Sequence, residues 1–388
     1  MMNVTILTDP RALAAHLAAW DDLAASAIEP NVFYEPWMLM PAIEGFGKGV
    51  DFRFVLLFAP HPTFASKPPI LCGFFPFARH ARYRGLPLTV LRLWQYLAMP
   101  LCLPLVRASH AQACLSAFWR WLQTAPEGMA MVDLAWIPGE GPFYRRLVDE
   151  IDYNAAITFQ TGCTTRALFR PAQTAEEYLQ RAPTSGRHLK GLRRQERRLA
   201  EAGQMAYVAL SSPADAKMWI ESFMQLESAG WKGGQGTALL LREAERSFFL
   251  ATMSEAARRG RLMMLGLQLN GAFIAMKCNV TAGCGAFALK ITYDEAYASY
   301  SPGILLEIEN IRRLHAQSGI EWMDACAVPR HFMIDRLWSD RRVLQGVLVA
   351  TNRRGGLLLS VMPLLCGLKR LRSLSRTSRE MPYESANE

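Results

Sequence analysis

The sequence lacks any long apolar run. No window of its 388 residues reaches the roughly 18 uncharged apolar residues that a membrane-spanning helix needs. Its first sixteen residues contain no basic stretch followed by an apolar run, so they predict no signal peptide. These absences favour a cytoplasmic protein that is soluble or peripheral to the inner face of the membrane.

Cysteine pairs at metal-binding or redox spacing are also missing. The eight cysteines form no CxxC pair and do not cluster with the seven histidines. We therefore expect reduced, mostly buried thiols, with neither a disulfide framework nor a metal site.

Acidic residues are fewer than basic ones. The chain has 34 Asp and Glu against 43 Lys and Arg, which gives a formal charge of +9. An acidic partner is expected for such a surface: phosphate, nucleic acid or an anionic membrane. The 51% hydrophobic and 20% charged content excludes a disordered chain, and the length allows two domains with their own cores.

Apolar periodicity predicts two α/β halves and a tail. The halves are residues 1–165 and 166–342, and a basic, partly apolar tail covers 343–388. Asn270-Gly271 predicts a two-residue hairpin between two strands. The tail segment Gly355–Leu368 has two interpretations, a helix lying in a membrane interface or a buried C-terminal helix.

One strand-to-helix connection offers a place to hold an anion. An apolar strand ends at Tyr293-Asp294, and a helix is predicted to begin at Ser301-Pro302-Gly303. Ser301 is expected to cap this helix, Pro302 suits its first position, and Gly303 allows close approach of a ligand. The free amides and the dipole of such an end attract phosphate, although an ordinary capped helix has the same pattern.

The order of these pieces resembles the second domain of the tandem GNAT-fold acyltransferases. The similar group is the cellulose-biosynthesis accessory acetyltransferase-like one, related in fold to the Fem-type peptidoglycan aminoacyl transferases. The resemblance is best over Arg166–Arg342, through RRQERRLAEAG (193–203), ESAGWKGGQGTAL (227–239), LNGAFIAM (269–276), ITYDEAYASYSPG (291–303) and EWMDACA (321–327). The first half resembles a degenerate first GNAT unit through NVFYEPWML (31–39) and ILCGFFPFARH (70–80). The commonest GNAT phosphate loop has two glycines, whereas Ser-Pro-Gly keeps one.

This resemblance implies a fold of two tandem GNAT-like domains, each a mixed, mostly antiparallel sheet flanked by helices. It also implies transfer of an acyl group from acyl-CoA, without a metal, to an amine on an envelope saccharide or lipid. The implied donor-binding residues are Leu289, Ser301, Pro302, Gly303 and Ile304.

Two other functions fit the same resemblance. One is a transferase that uses aminoacyl-tRNA as its donor, and the other is a non-catalytic accessory protein that binds an anion or a membrane. Nucleic acid other than this tRNA is not expected, because the basic run has no interleaved aromatic residues.

The candidate acid–base groups lie in two segments. His331 has an ordinary pKa near 6.5 and is suited to take a proton from an ammonium, with Asp324 positioning the site. Glu227 is the alternative base, with Trp231 and Lys232 beside the acceptor. Each candidate also has a purely structural interpretation. His331 would then be a surface or capping histidine, and Glu227 would lie at a helix end where Trp231 is anchored in the core.

The remaining candidates are expected to contact the substrate. Tyr293 and Asp294 follow the strand that leads to the anion site. Arg193, Arg194 and Arg197 belong to a basic helix suited to a diphosphate, a phospholipid head group or RNA, and a solvated helix face is the alternative.

Overall fold

The computed structural model describes residues 2–61, 66, 68–96, 99–124, 126–184 and 186–364. Its strands are β1 Asn3–Leu7, β2 Phe52–Ala59, β3 Ile70–His80, β4 Val90–Leu93, β5 Leu105–Val106, β6 Met131–Pro138, β7 Thr158–Phe169, β8 Met205–Ala209, β9 Leu262–Leu269, β10 Ala272–Ala282, β11 Gly285–Tyr293, β12 Trp322–Asp324 and β13 Asp340–Ala350. Its helices are α1 Leu17–Ala25, α2 Pro36–Phe46, α3 Ala111–Gln123, α4 Pro142–Tyr153, α5 Ala175–Arg181, α6 Gly186–Glu201, α7 Ala216–Ala229, α8 Trp231–Gly234, α9 Glu243–Arg258, α10 Pro302–Ala316, α11 Ile334–Leu337 and α12, residues 353–364.

The strands form one sheet whose two halves repeat the same pairing pattern. The order is β1-β2-β3-β4-β6-β13-β7-β12-β11-β10-β9-β8, and β5 pairs with β3. In the first half β1 to β4 are successively antiparallel and β4 runs parallel to β6. In the second half β8 to β11 are successively antiparallel and β11 runs parallel to β12. The repeat confirms the predicted fold, two mixed and mostly antiparallel sheets in tandem.

The halves exchange the strands that connect them. β7 follows the first half but pairs with β12, and β13 closes the second half but pairs with β6. β7 and β13 also pair with each other, which makes the sheet continuous. The boundary placed at residues 165 and 166 therefore lies inside β7, and residues 343–350, placed in the tail, belong to β13. The charged start of β13 at Asp340–Arg342 and its interruption at Gly346 obscure its strand pattern in the sequence.

Helices cover both faces of the second half because its strands are apolar on both sides. Along β10, Met276 and Cys278 belong to the core that includes α7 and α9. Lys277 and Asn279 alternate with them and contact α10 on the opposite face. Asn270 and Gly271 connect β9 to β10 with φ of 50° and 81°, so the predicted hairpin is present.

The first half of the chain packs against the face of the second half that α9 covers. Phe46 of α2 meets Phe248 of α9 edge-on, with ring centroids 5.5 Å apart. Asp21 accepts hydrogen bonds from Arg259, the shorter at 2.9 Å. Glu35 accepts one from Arg261. These contacts fix α2 and α9 as two walls of a cleft beside β11.

α12 is buried on one side and exposed on the other. Leu359 and Met362 join a small core with Met131 and Leu348, whereas Leu357 and Leu364 are 71% and 70% exposed. Of the tail segment named in the sequence analysis, residues 365–368 lie outside the described residues. In the described part of the chain no helix is long and apolar enough to cross a membrane.

Candidate active site between diverging strands

β11 and β12 pair over three residues and then separate. Gly285–Phe287 pairs with Trp322–Asp324, after which β11 continues to Tyr293. The chain beyond Asp324 turns away and reaches a φ of 52° at Cys326. The separation leaves a wedge in the middle of the sheet, with α10 on one face and α9 on the other.

β11 also carries a bulge at this wedge. Ala288 pairs with Asn279 and Lys290 pairs with Cys278 on β10, so Leu289 between them has no cross-strand partner. Leu289 and Lys290 consequently both line one cavity of about 300 Å³, which is also bounded by α2 and α9. Bulges re-aim a strand in this manner beside active sites.

A carboxylate holds two lysines next to the cavity. Glu227 of α7 is 1% exposed. Its Oε1 accepts hydrogen bonds from Lys232 at 2.7 Å and Lys290 at 3.2 Å, and its Oε2 accepts one from the Leu239 amide at 3.0 Å. Burial alone would raise the pKa of Glu227, but the Lys290 charge and these hydrogen bonds outweigh it and hold the pKa below its ordinary value. Glu227 is thus a weak proton acceptor that fixes Lys290 at the cavity wall.

The start of α10 lies on the other face of the wedge. Ser301 has φ 54° and ψ 48° and makes no side-chain cap, so the expected Ser301 cap is wrong. An N-cap side chain reaches the first-turn amides from an extended backbone, which this left-handed conformation does not provide. The Ser301 carbonyl instead accepts from the amides of Ile304 and Leu305. Pro302 occupies the first helical position as expected.

Gly303 is buried below the end of β11. A Cβ added there would lie 3.4 Å from Cδ1 of Tyr293 and 4.0 Å from Sδ of Met333. Tyr293 itself is 37% exposed, so its ring covers the helix start from the outside. Asp294 caps the following 3₁₀ segment, Glu295–Tyr300, through the Ala296 amide at 2.9 Å. In the structure Tyr293 thus covers the start of α10, and Asp294 caps the 3₁₀ segment before it.

The basic helix α6 packs beside this helix start. Gln195 donates to the Ser299 carbonyl at 3.1 Å, and the Arg198 guanidinium lies 5.8 Å from the Tyr300 ring centroid. Arg194 is one turn before Arg198 and shares its side of α6. Arg197 follows Arg193 by four residues and Arg194 by three, so the three arginines of the sequence prediction lie within about 100° of the helix surface, with Arg193 farthest from Arg198. In the described part of the chain they form no ion pair, and all three are exposed.

Asp324 is fully buried and ion-paired. It contacts Arg166 at 2.6 Å and Arg342 at 2.7 Å, and its Oδ1 accepts from the Cys326 amide at 2.9 Å. Burial alone would raise its pKa, but the two arginines hold the pKa of Asp324 below its ordinary value. It therefore joins β12 to β7 and β13 and is a weak proton acceptor.

His331 lies in the loop after β12. Its ring is half-buried, and burial lowers its pKa, with the Lys277 charge adding to this effect and Asp335 opposing it. The neutral ring is a proton acceptor at neutral pH. The charges around it are those of Asp335, Lys277 and Glu307, whereas Glu227 faces Lys232 and Lys290, so the two predicted bases do not share a cluster.

Two lysines were missed by the sequence analysis. Lys290 contacts Glu227, and Lys277, 2% exposed, pairs with the buried Glu307 of α10 at 2.7 Å. Lys290 is the single charge in Phe287–Ile291, and Lys277 is the single charge in Phe273–Val280. This isolation within apolar strands was the sequence signal by which they could have been found. A lone charge in a buried strand is costly without a partner and therefore marks a polar site.

Metal-binding geometry is not found in the described residues, where no three His, Cys, Asp or Glu side chains converge. Trp231 begins α8, and its side chain is outside the described part of the structure. Cys326 also lines the cavity, and burial followed by the Asp324 charge raises its pKa, which keeps it a thiol.

Comparison with known families agrees with this geometry. Residues 186–332, which contain α6, the wedge, the bulge and the start of α10, match the family model of the acetyltransferase (GNAT) domain. The matched segment therefore has the GNAT fold. It includes α6 to α10 and the loop through His331, while β7 and β13 lie outside the match.

Solved structures extend the similarity to most of the chain. FemX matches with a TM-score of 0.54 at 9% identity, over 85% of this chain and 95% of its own. A conserved protein of unknown function from Bacteroides thetaiotaomicron matches with a TM-score of 0.50 at 10% identity, over 91% of this chain and 100% of its own. No curated protein matches the sequence significantly. At these identities the similarity establishes the fold, a tandem GNAT arrangement related to the Fem type.

Proposed function

We propose that the chain is an N-acyltransferase that moves an acyl group from acyl-CoA to an amine. The observation that carries the proposal is the wedge between β11 and β12, with the bulge at Leu289, a helix start on one face and a cavity with Lys290 on the other. The CoA phosphates would lie at the start of α10, the pantetheine arm in the wedge, and the thioester beside Leu289 and Lys290. The GNAT match over residues 186–332 supports the same assignment.

The reaction replaces the thioester by an amide. The amine nitrogen attacks the carbonyl carbon, the carbon–sulfur bond breaks, and the amine proton ends on the thiolate or a base. A carbonyl at the bulge would accept from the Leu289 amide and lie near the Lys290 ammonium, which lowers the cost of the developing negative charge. The neutral His331 ring is our candidate for the base that accepts the amine proton.

The remaining candidate residues would act indirectly. Glu227 would hold Lys290 and Lys232 in place, and Asp324 would fix the floor of the wedge. Tyr293 and Asp294 would order the segment over the phosphates, and Trp231 would border the acceptor. Ser301, Pro302, Gly303 and Ile304 would form the phosphate end of the site.

We further propose that the acceptor belongs to the cell envelope and that the protein acts at the inner face of the membrane. The exposed apolar stripe Leu357, Val361 and Leu364 on α12, together with the arginines of α6, supports peripheral contact with an anionic surface. The same arginines would suit aminoacyl-tRNA as an alternative donor, and the binding measurements below separate the two donors.

The phosphate position is tested by a matched pair at Ser301. Asparagine and aspartate both tolerate the left-handed backbone, but Ser301→Asp adds a negative charge where phosphate would sit. We expect Ser301→Asp to weaken CoA binding at least about tenfold by charge repulsion, and Ser301→Asn to bind CoA like the wild type. Isothermal titration with free CoA measures both.

The control in this pair is built in, because an aspartate at a helix start stabilises the helix and so cannot act by unfolding it. Equal CoA affinity of the two variants would exclude the start of α10 as the phosphate site. Absence of CoA binding by the wild type, with binding of aminoacyl-tRNA, would exclude the CoA-dependent reaction. Gly303 is a poor position for this test, since it is buried and a Cβ there would already contact Tyr293.

The two flanks of α6 give a separate prediction. Arg194 is on the flank that meets the Glu295–Tyr300 segment, so Arg194→Glu should lower CoA affinity and reduce its salt dependence. Arg193→Glu, about 100° away from Arg194 around α6, should leave CoA affinity unchanged and weaken sedimentation with phosphatidylglycerol vesicles. If neither substitution changes either measurement at low salt, α6 is a solvated face.

A further inference from the structure

We infer that the acyl group is an apolar chain of medium length, held in the cavity between α2, α9 and the bulge of β11. This inference rests on the proposed function and names its donor class. The cavity is defined by position and by chemistry. It has a volume of about 300 Å³, and it meets the wedge at Leu289 and Lys290, where the thioester would lie.

The cavity wall is mostly apolar. Four phenylalanines, three methionines, two leucines and a proline make up ten of its thirteen lining residues, so a hydrocarbon would contact apolar side chains from several elements. Phe248, Phe249 and Met253 come from α9, and Met38 and Phe46 come from α2. Methionine side chains adjust to an irregular ligand, which suits a flexible chain.

The two charged side chains of the wall have ion-pair partners. Glu245 pairs with Arg242 at 2.9 Å, and Lys290 is held by Glu227 at 3.2 Å. A saccharide in this cavity would lose its hydrogen bonds to water and find few replacements, which is costly. A hydrocarbon loses nothing on entry and removes apolar surface from water. The cavity therefore fits the acyl part of the donor better than a polar acceptor.

On the opposite side of the wedge, other described residues pack closely against the helix start. Pro302 and Gly303 are buried, and Tyr293 and Met333 lie directly against Gly303. A chain attached to a carbonyl at Leu289 would therefore extend toward α2 and α9.

The volume sets the expected length. A methylene group takes about the space of a water molecule, roughly 30 Å³ in the liquid, so the cavity holds on the order of ten carbons. Each buried methylene contributes about fourfold to affinity. Octanoyl-CoA should accordingly bind at least about 100-fold more tightly than acetyl-CoA, after allowance for lost rotamer freedom. The gain should end beyond about ten carbons.

Binding measurements test this on the full chain. Titration with free CoA and with acetyl-, butyryl-, hexanoyl-, octanoyl-, decanoyl- and palmitoyl-CoA gives the chain-length profile. Leu239→Phe and Met253→Phe each fill part of the cavity and should move the optimum to shorter chains, while free CoA affinity stays constant and reports that the site is folded. Two positions on separate elements guard against one variant failing to fold.

The outcomes separate the two proposals. If free CoA binds and affinity is flat across chain lengths, the apolar donor is wrong and the CoA-dependent function stands. If free CoA does not bind but the octanoyl thioester of N-acetylcysteamine binds and is lost in Leu239→Phe, the cavity inference stands and CoA is wrong. If neither probe binds the wild type, both proposals are wrong.

Discussion

Replacing Asp324 by asparagine is expected to destabilise the protein by about 3–5 kcal/mol, the cost of removing one partner from a buried ion pair. Asparagine keeps the shape of the side chain but removes its charge and points an amide at a guanidinium. Arg166, whose side chain is 3% exposed, would then be a buried and uncompensated cation. Urea denaturation followed by circular dichroism measures the change in the free energy of unfolding.

The repeated sheet supplies a matched control for this substitution. Asp133 on β6 and Asp324 on β12 occupy equivalent positions in the two halves, since each lies in the strand that runs parallel to the end of its antiparallel series. Asp133 forms an ion pair with Arg92 of β4, but the Arg92 side chain is 46% exposed and can return to water. Asp133→Asn should therefore cost at most about 1 kcal/mol. An Asp324→Asn protein no less stable than Asp133→Asn would contradict the buried-pair interpretation.

The same pair gives the protein a pH dependence. The pKa of Asp324 is lower in the folded protein than its ordinary value. Its contribution to stability is therefore complete above the ordinary pKa of an unfolded aspartate, near 3.9, and is lost as the pH falls through the lower folded value. Asp324→Asn should remove this part of the acid sensitivity.

The succession of strands and helices along the second half of the chain could be predicted from the sequence because each signal is local. Asn270-Gly271 is a turn that specifies its own hairpin, and the run from β11 to α10 is a contiguous pattern of apolar and turn residues. Those signals, combined with a family resemblance, gave the tandem fold. The exchange of β7 and β13 could not be predicted, because the partner of a strand is decided by pairing across more than 150 residues, as between Thr158 and Val349.

The site was only partly predictable for a related reason. Asp324 and Glu227 were recognised as chemistry-bearing residues, but their partners come from β7, β11 and β13, and partners decide whether a carboxylate is a base or an anchor. The Ser301 cap was expected from residue type alone, but Ser301 ends the preceding 3₁₀ segment in a left-handed conformation, which residue type does not reveal. The isolation of Lys290 in an apolar strand marked it as a polar site, but the bulge that places it at the cavity is not visible in the sequence.

His331→Ala is expected to reduce kcat by about 10²–10⁴-fold, the usual contribution of a general base, with CoA affinity unchanged. The assay is release of CoA thiol from octanoyl-CoA, with glucosamine as a simple amine probe. Burial lowers the pKa of His331, so the ring is neutral at pH 7 and activity should rise with pH through a midpoint below 6.5. This acidic limb should be absent from the residual activity of His331→Ala.

Two further variants make the assignment to His331 specific. His110, at the start of α3 in the first half, hydrogen-bonds Ser109, and His110→Ala should leave kcat and its pH profile unchanged. Glu227→Gln removes the charge that holds Lys290, so it should lower kcat but keep the acidic limb, because Glu227 is already ionised across that pH range. If His331→Ala keeps kcat within about threefold while Glu227→Gln abolishes the limb, the base is Glu227. If both variants keep the wild-type rate and profile, the amine enters the site already neutral, and the site contributes position and the Leu289–Lys290 electrostatics alone.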